Sequence, residues 1–171
     1  VVAVSLKMFA GAGYFSLALR WIVEPFLVDA ATYGWMIPFA VVFLSFGLAL
    51  FWALAAGLAA RFGTEMPRRA MLFAVLLAAA ELARGTVLTG FPWALIGHIW
   101  TDTPVAQLAA WSGPNGLTLL TTLIAALPVA LGLRGLTGGV AVLTAGFGFG
   151  LWQLAQPMPD GAGNAIVRLV Q

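Results

Sequence analysis

The sequence predicts an all-α integral membrane protein, a polytopic bundle of about five transmembrane helices, and three observations predict it. Of the 171 residues, 62% are hydrophobic and only 8% are Asp, Glu, Lys or Arg, against the ~25% charged residues of soluble domains. That leaves too little polar side chain to coat a globule of this size, so lipid must wet much of the surface. Second, five stretches reach the length at which a helix crosses a hydrocarbon core of roughly 30 Å, about 20 apolar residues. Third, the basic residues gather on one side of those stretches. The same richness in apolar residues excludes intrinsic disorder.

The first span is expected at 4–27, the second at 35–60 and the third at 69–88, each bounded by a polar or Gly/Pro-bearing loop. Residues 103–111 are too short to cross, and Thr103-Pro104 suits the cap and first position of a helix lying along the interface. Ser112-Gly113-Pro114-Asn115-Gly116 then breaks the backbone, and such a break at membrane depth must be buried in protein or face water. The fourth span is expected at 117–133. The fifth, at 136–155, carries Gly138, Gly139, Gly146, Gly148 and Gly150, which lower helix propensity in water but permit close helix packing in lipid. Together 1–155 form the helical domain. Residues 156–164 read as a linker leaving the membrane, and the β-branched run in 165–171 reads as a strand. A lone strand has nothing to pair with, so the chain is expected to stop as it enters a soluble, sheet-containing domain.

Lys7, Arg61, Arg68, Arg69 and Arg134 mark one side, which the positive-inside rule makes cytoplasmic. Asp29, Asp102 and Asp160 lie opposite, with Arg168 the one basic residue there. The expected topology is therefore amino end in, carboxyl end out. On it, Trp21, Trp35, Trp93, Trp100, Trp111 and Trp152 fall in the outer half, and Trp52 alone lies nearer the inner face. An aromatic belt normally serves both faces, so this bias is either an ordinary belt sampled in small numbers or an outer surface built at headgroup depth where lipid or a partner domain docks.

Charges placed within spans are expensive and are candidates for function. Glu81 and Arg84 are three apart on one face of the third span and can pair; Arg20 and Glu24, four apart at the outer end of the first, can pair or snorkel to the interface. Both are expected as structural ion pairs. Thr89-Gly90-Phe91-Pro92-Trp93 reads as a rigid aromatic turn, because Gly90 permits unusual backbone angles and Pro92 cannot continue a helix. His98 follows without a second His or a Cys, a weak base or ligand candidate. With no cysteine in the chain there is no disulfide, thiolate metal site or thiol nucleophile. No phosphate loop, metal-ligand spacing or Ser-His-Asp set is present, so no metal and no cofactor is expected. The basic residues are too scattered to serve a nucleic acid.

The run Glu81, Arg84-Gly85, Thr89-Gly90-Phe91-Pro92-Trp93 and His98 closely resembles the signature of apolipoprotein N-acyltransferases. Gly13-Tyr14-Phe15, Trp21-Ile22 and the segment Pro25-Phe26-Leu27-Val28-Asp29-Ala30 resemble that family's third membrane helix and following loop. Gly113-Pro114-Asn115-Gly116 resembles the turn into its sixth, with Asn115 standing where an aromatic residue is common. Val167 to Gln171 resembles the opening strand of its nitrilase-like α/β domain.

The resemblance implies a multi-pass enzyme of the bacterial inner membrane with its carboxyl end periplasmic. Such an enzyme moves an acyl chain from a phospholipid donor, through a Cys thioester, to the amino terminus of a diacylated lipoprotein acceptor. Its catalytic Cys, Glu base and oxyanion-holding Lys belong to the nitrilase-like domain beyond residue 171. No catalytic residue is therefore assigned here, and the chain alone is expected to be inactive. Phe91, Pro92, Trp93, His98, Trp100 and Trp111 are expected to form a lipid and substrate platform on the outer face. A transporter or channel domain, or a non-enzymatic scaffold, is the competing reading, since broken helices and intramembrane charges also mark substrate paths.

Overall fold

Residues 2–87 and 90–156, described by a computed structural model, are mostly helical, with no strand among the described residues. The α-helices are α1 (Val2–Ala18), α2 (Glu24–Leu27), α3 (Ala30–Tyr33), α4 (Ile37–Phe62), α5 (Met66–Arg84), α6 (Ala109–Leu131) and α7 (Leu133–Leu154). Short 3-10 turns occupy Arg20–Val23, Gly34–Met36, Ile96–Trp100 and Pro104–Leu108. The long helices pack in chain order, α1 on α4, α4 on α5, α5 on α6 and α6 on α7.

Three stretches are long and apolar enough to cross a membrane: Ala30–Phe62, Pro104–Leu131 and Leu133–Leu154. The two others expected as spans depart from that standard for identifiable reasons. Helix α1 has 17 residues, about 25 Å at 1.5 Å per residue. It ends at Ala18, short of the expected residue 27, and Pro25, which cannot continue a helix, stands in the first turn of α2. The chain passes instead through the 3-10 turn at Arg20–Val23 into α2. Helix α5 is long enough at 19 residues, but it carries Arg68, Arg69, Glu81 and Arg84. It also stops at Arg84 rather than 88. The amide of Phe91 donates to the Arg84 carbonyl at 2.9 Å, so the chain has already turned back.

The core is small. Ala12, Phe15 and Leu19 pack on Leu48 and Ala49 of α4, while Leu6, Phe43 and Leu133 are among many large apolar side chains pointing outward. This is the arrangement expected of helices wetted by lipid. The expected backbone break is present at Gly113, whose φ of 65° and ψ of −179° lie in a region open mainly to glycine. Residues ahead of it do not form a separate α-helix. Pro104–Leu108 is a 3-10 turn running into the first turn of α6, and the Thr103 hydroxyl donates to Trp100 O at 2.8 Å rather than capping the turn.

Glycine sets the packing of α7. Gly135, Gly139, Gly146 and Gly150 are buried. A Cβ on Gly135 would collide with the Leu127 carbonyl and one on Gly150 with the Pro104 carbonyl, whereas Gly138 and Gly148 face open space. The expected linker at 156–164, apart from Gln156, and the expected strand at 165–171 lie outside the described residues.

Candidate functional site

The last turn of α5 places Glu81 and Arg84 on one face, and both side chains are enclosed, at 0% and 1% exposure. Arg84 Nη2 donates to Glu81 Oε2 at 2.7 Å, and Trp52 Nε1 of α4 donates to Glu81 Oε1 at 2.8 Å. Removing two charges from a polar medium costs several kcal/mol per ion unless further hydrogen bonds satisfy them. Here a loop supplies those bonds. Arg84 Nη1 donates to Phe91 O at 2.7 Å and to Trp93 O at 2.8 Å, with Nη2 a longer 3.5 Å from Ala94 O. The Phe15 ring lies 5.1 Å from the guanidinium carbon, within cation–π range. Arg84 Nε is buried without a partner, so one donor remains uncompensated.

The loop that Arg84 holds is shaped to bring its carbonyls inward. Gly90 has a φ of 75° and sits so close to Gly85 that a Cβ would lie 2.5 Å from that residue's oxygen. Ala94 has a φ of 56°, a left-handed conformation that costs a non-glycine residue about 1–3 kcal/mol. It is held there from two sides, by Arg84 and by the Tyr14 hydroxyl, which donates to Ala94 O at 3.2 Å. Three residues further, Gly97 lies against α6 with its amide donating to Thr118 Oγ1 at 3.0 Å. The loop is thus fastened to α1, α4, α5 and α6 together.

Of the residues expected to form a platform, the structure gathers only some. Phe91 is half-buried against the α1–α4 core. Pro92 and Trp93 are exposed, and the Trp93 ring meets Trp21 edge-on at 6.1 Å. Pro92, Trp93 and His98, with Thr86, Pro114 and Asn115, line a cavity of about 310 Å³. Trp100 is turned away from it. Its Nε1 donates to Thr121 Oγ1 at 2.7 Å, and its ring packs on Phe147 of α7. Trp111 is 75% exposed, its ring tilted against Phe149 of α7 at 5.0 Å.

Arg20 and Glu24 do not pair. Both are exposed, and the ion pair between Glu81 and Arg84 is the only one among the described residues. The i,i+4 neighbour relation holds only on a continuous α-helix, and the 3-10 turn at Arg20–Val23 removes it. Tyr14, Phe15 and Trp52 were not legible as members of the site, because their local sequence is ordinary apolar helix. Trp52 in particular reads as an inner-belt residue and is instead a donor to Glu81, near the opposite end of the hairpin. No cluster of three or more metal-ligating side chains occurs among the described residues.

The geometry is that of a strut. Arg84 and Glu81 are enclosed by protein, and the Arg84 guanidinium is bonded to the 91–94 loop while Pro92 and Trp93 stay exposed.

Residues 3–127 match the family described as Apolipoprotein N-acyltransferase N-terminal domain. An apolipoprotein N-acyltransferase of Caulobacter vibrioides is 46% identical over 168 residues, covering 95% of this chain and 32% of that protein. One from Brucella melitensis is 37% identical across all of this chain and 34% of its own length, and one from Rhodopseudomonas palustris is 44% identical over 122 residues, covering 71% of this chain and 23% of its own length. The chain therefore spans about a third of the length of the first two of these curated relatives. With an all-helical array, the signature around Glu81 and Arg84 and these matches in hand, the chain belongs to the apolipoprotein N-acyltransferase family.

Proposed function

We propose that this chain is the membrane-embedded mount of a lipoprotein N-acyltransferase, crossing the bacterial inner membrane five times with its amino end in and its carboxyl end periplasmic. The rest of the protein supplies a nitrilase-like domain on the outer side. There an acyl chain passes from a phospholipid to a cysteine as a thioester, and then to the free amine of a diacylglyceryl-cysteine lipoprotein. This chain has no cysteine, so the covalent step belongs to residues it does not contain, and alone it transfers nothing.

The observation that carries this reading is the buried Glu81–Arg84 strut, which holds the 91–94 loop by three carbonyls. Both reactants are lipid-anchored, and their reacting groups lie near the headgroup plane. A rigid aromatic edge at that depth holds the catalytic domain and the lipids in register, and such positioning is worth about 7–11 kcal/mol in ideal cases. Pro92, Trp93 and His98 around the 310 Å³ cavity are the surface offered to lipid or acceptor. The enclosure of the ion pair by protein favours the mount over a transporter, where charges line a path.

The test is made in the full-length protein, in cells lacking their own enzyme of this kind. Mass spectrometry of a lipoprotein's amino-terminal peptide should show one added acyl chain. Its absence despite normal expression rejects the function. Trp93→Ala should lower transfer at least tenfold with yield unchanged, and full transfer rejects the platform. A phosphatase reporter fused after Gln171 should be active only outside the cytosol.

A further inference from the structure

A second cavity shares no lining residue with the one beside the aromatic loop. A groove of about 510 Å³ runs over α5 between α4 and α6, within the roughly 300–1,000 Å³ of ligand sites. It exists because its walls are trimmed to methyl groups, Ala56 and Ala59 on α4 and Ala125 and Ala126 on α6, while Phe73 and Leu77 of α5 form the floor. The two threonines on the α6 wall offer nothing polar, since the Thr121 hydroxyl donates to Leu117 O at 2.7 Å and the Thr122 hydroxyl to Leu119 O at 3.0 Å.

Polarity is confined to one end. Lys7 and Arg69 line the groove where α5 begins, and Ile96 lines it towards the other end. Lys7 Nζ lies 3.7 Å from the centre of the Phe73 ring, and Arg69 spends Nε and Nη2 on the Gly63 carbonyl at 3.3 and 3.1 Å. Neither has a carboxylate partner among the described residues. The floor from Met66 to Leu77 rises about 16 Å at 1.5 Å per residue, close to half of a hydrocarbon core of roughly 30 Å. A slot one leaflet deep, apolar along its length and cationic at its mouth, complements a hydrocarbon tail ending in a phosphate.

We propose that this groove seats one acyl chain of an anionic phospholipid from the leaflet on the side of Arg61, Arg69 and Arg134, with Lys7 and Arg69 taking the phosphate. The site is separate from the aromatic loop and is a resident lipid site. Two cations beside a phosphate in a medium of low dielectric select an anionic headgroup over a zwitterionic one. Its occupancy closes the seam between α4 and α6 and stabilises the bundle by mass action.

The test uses the full-length protein purified in mild detergent, with phosphatidylglycerol and phosphatidylcholine as probes. Native mass spectrometry should show one retained phosphatidylglycerol, and added phosphatidylglycerol should raise the unfolding temperature while phosphatidylcholine does not. Lys7→Gln should weaken retention at least fivefold. Ala125→Trp, which fills the groove, should abolish it with helical content unchanged; if that variant does not fold, Ala125→Leu serves in its place. Equal retention of both lipids, no retained lipid on the unaltered protein, or wild-type retention in Lys7→Gln and the filled variant overturns the proposal. Retention is read without acyl transfer, so this result and the acyltransferase reading fail separately.

Discussion

The Arg84 end of α5 and the α6–α7 hairpin hold neighbouring backbone together by opposite means. At the first, a long charged side chain reaches across a gap and fastens a loop by directional bonds to Phe91 O and Trp93 O. At the second, side chains are absent, and Gly135 and Gly150 let α7 lie against the carbonyls of Leu127 and Pro104. An irregular loop has no repeating surface to pack, so it needs named donors; a regular helix such as α7 needs only proximity, which small residues provide. In lipid there is little hydrophobic drive between helices, so both devices replace the oily core that a soluble domain would use.

The comparison breaks most visibly at Arg84. Arg84→Ala strands the Glu81 carboxylate and frees the loop, a loss of about 3–5 kcal/mol, expected as near-complete loss of monodisperse protein on size exclusion. A normal yield would show that the strut is dispensable. On α7, Gly150→Ala forces a methyl into the Pro104 carbonyl and should cost about 1–3 kcal/mol, read as a lowered unfolding temperature. Trp52→Phe removes one donor from Glu81 while keeping the ring, and a single interhelical hydrogen bond in lipid is worth about 0.6–1.7 kcal/mol. The smallest effect sharpens the contrast. Gly138→Ala meets nothing within 4 Å and should stay within about 0.5 kcal/mol; a cost matching Gly150→Ala would mean that close approach is not what the glycines serve.

Much of the α5 end was legible. The i,i+3 spacing of Glu81 and Arg84 places them on one face before any partner is known, and Gly90 with Pro92 announces a turn. What stayed hidden is where the turn's atoms go. Successive residues of an irregular loop point in different directions, so Phe91 enters the core while Trp93 remains outside, and no periodicity distinguishes them. Arg20 and Glu24 show the reverse failure. Their spacing reads as a pair only while the helix continues, and the 3-10 turn at Arg20–Val23 ends that assumption. The groove beside Lys7 and Arg69 was invisible because its walls come from three helices, each unremarkable alone.

Composition and hydropathy settled that these residues are helices with apolar outsides, since backbone polar groups in lipid must be satisfied within the segment and that constraint is local. The backbone break at Gly113 was local as well. Which residues meet was not. The rotation of α4 that brings Trp52 to Glu81, the capture of three loop carbonyls by Arg84 and the seam left open between α4 and α6 depend on how whole helices sit against one another, and short-range pattern carries no record of that.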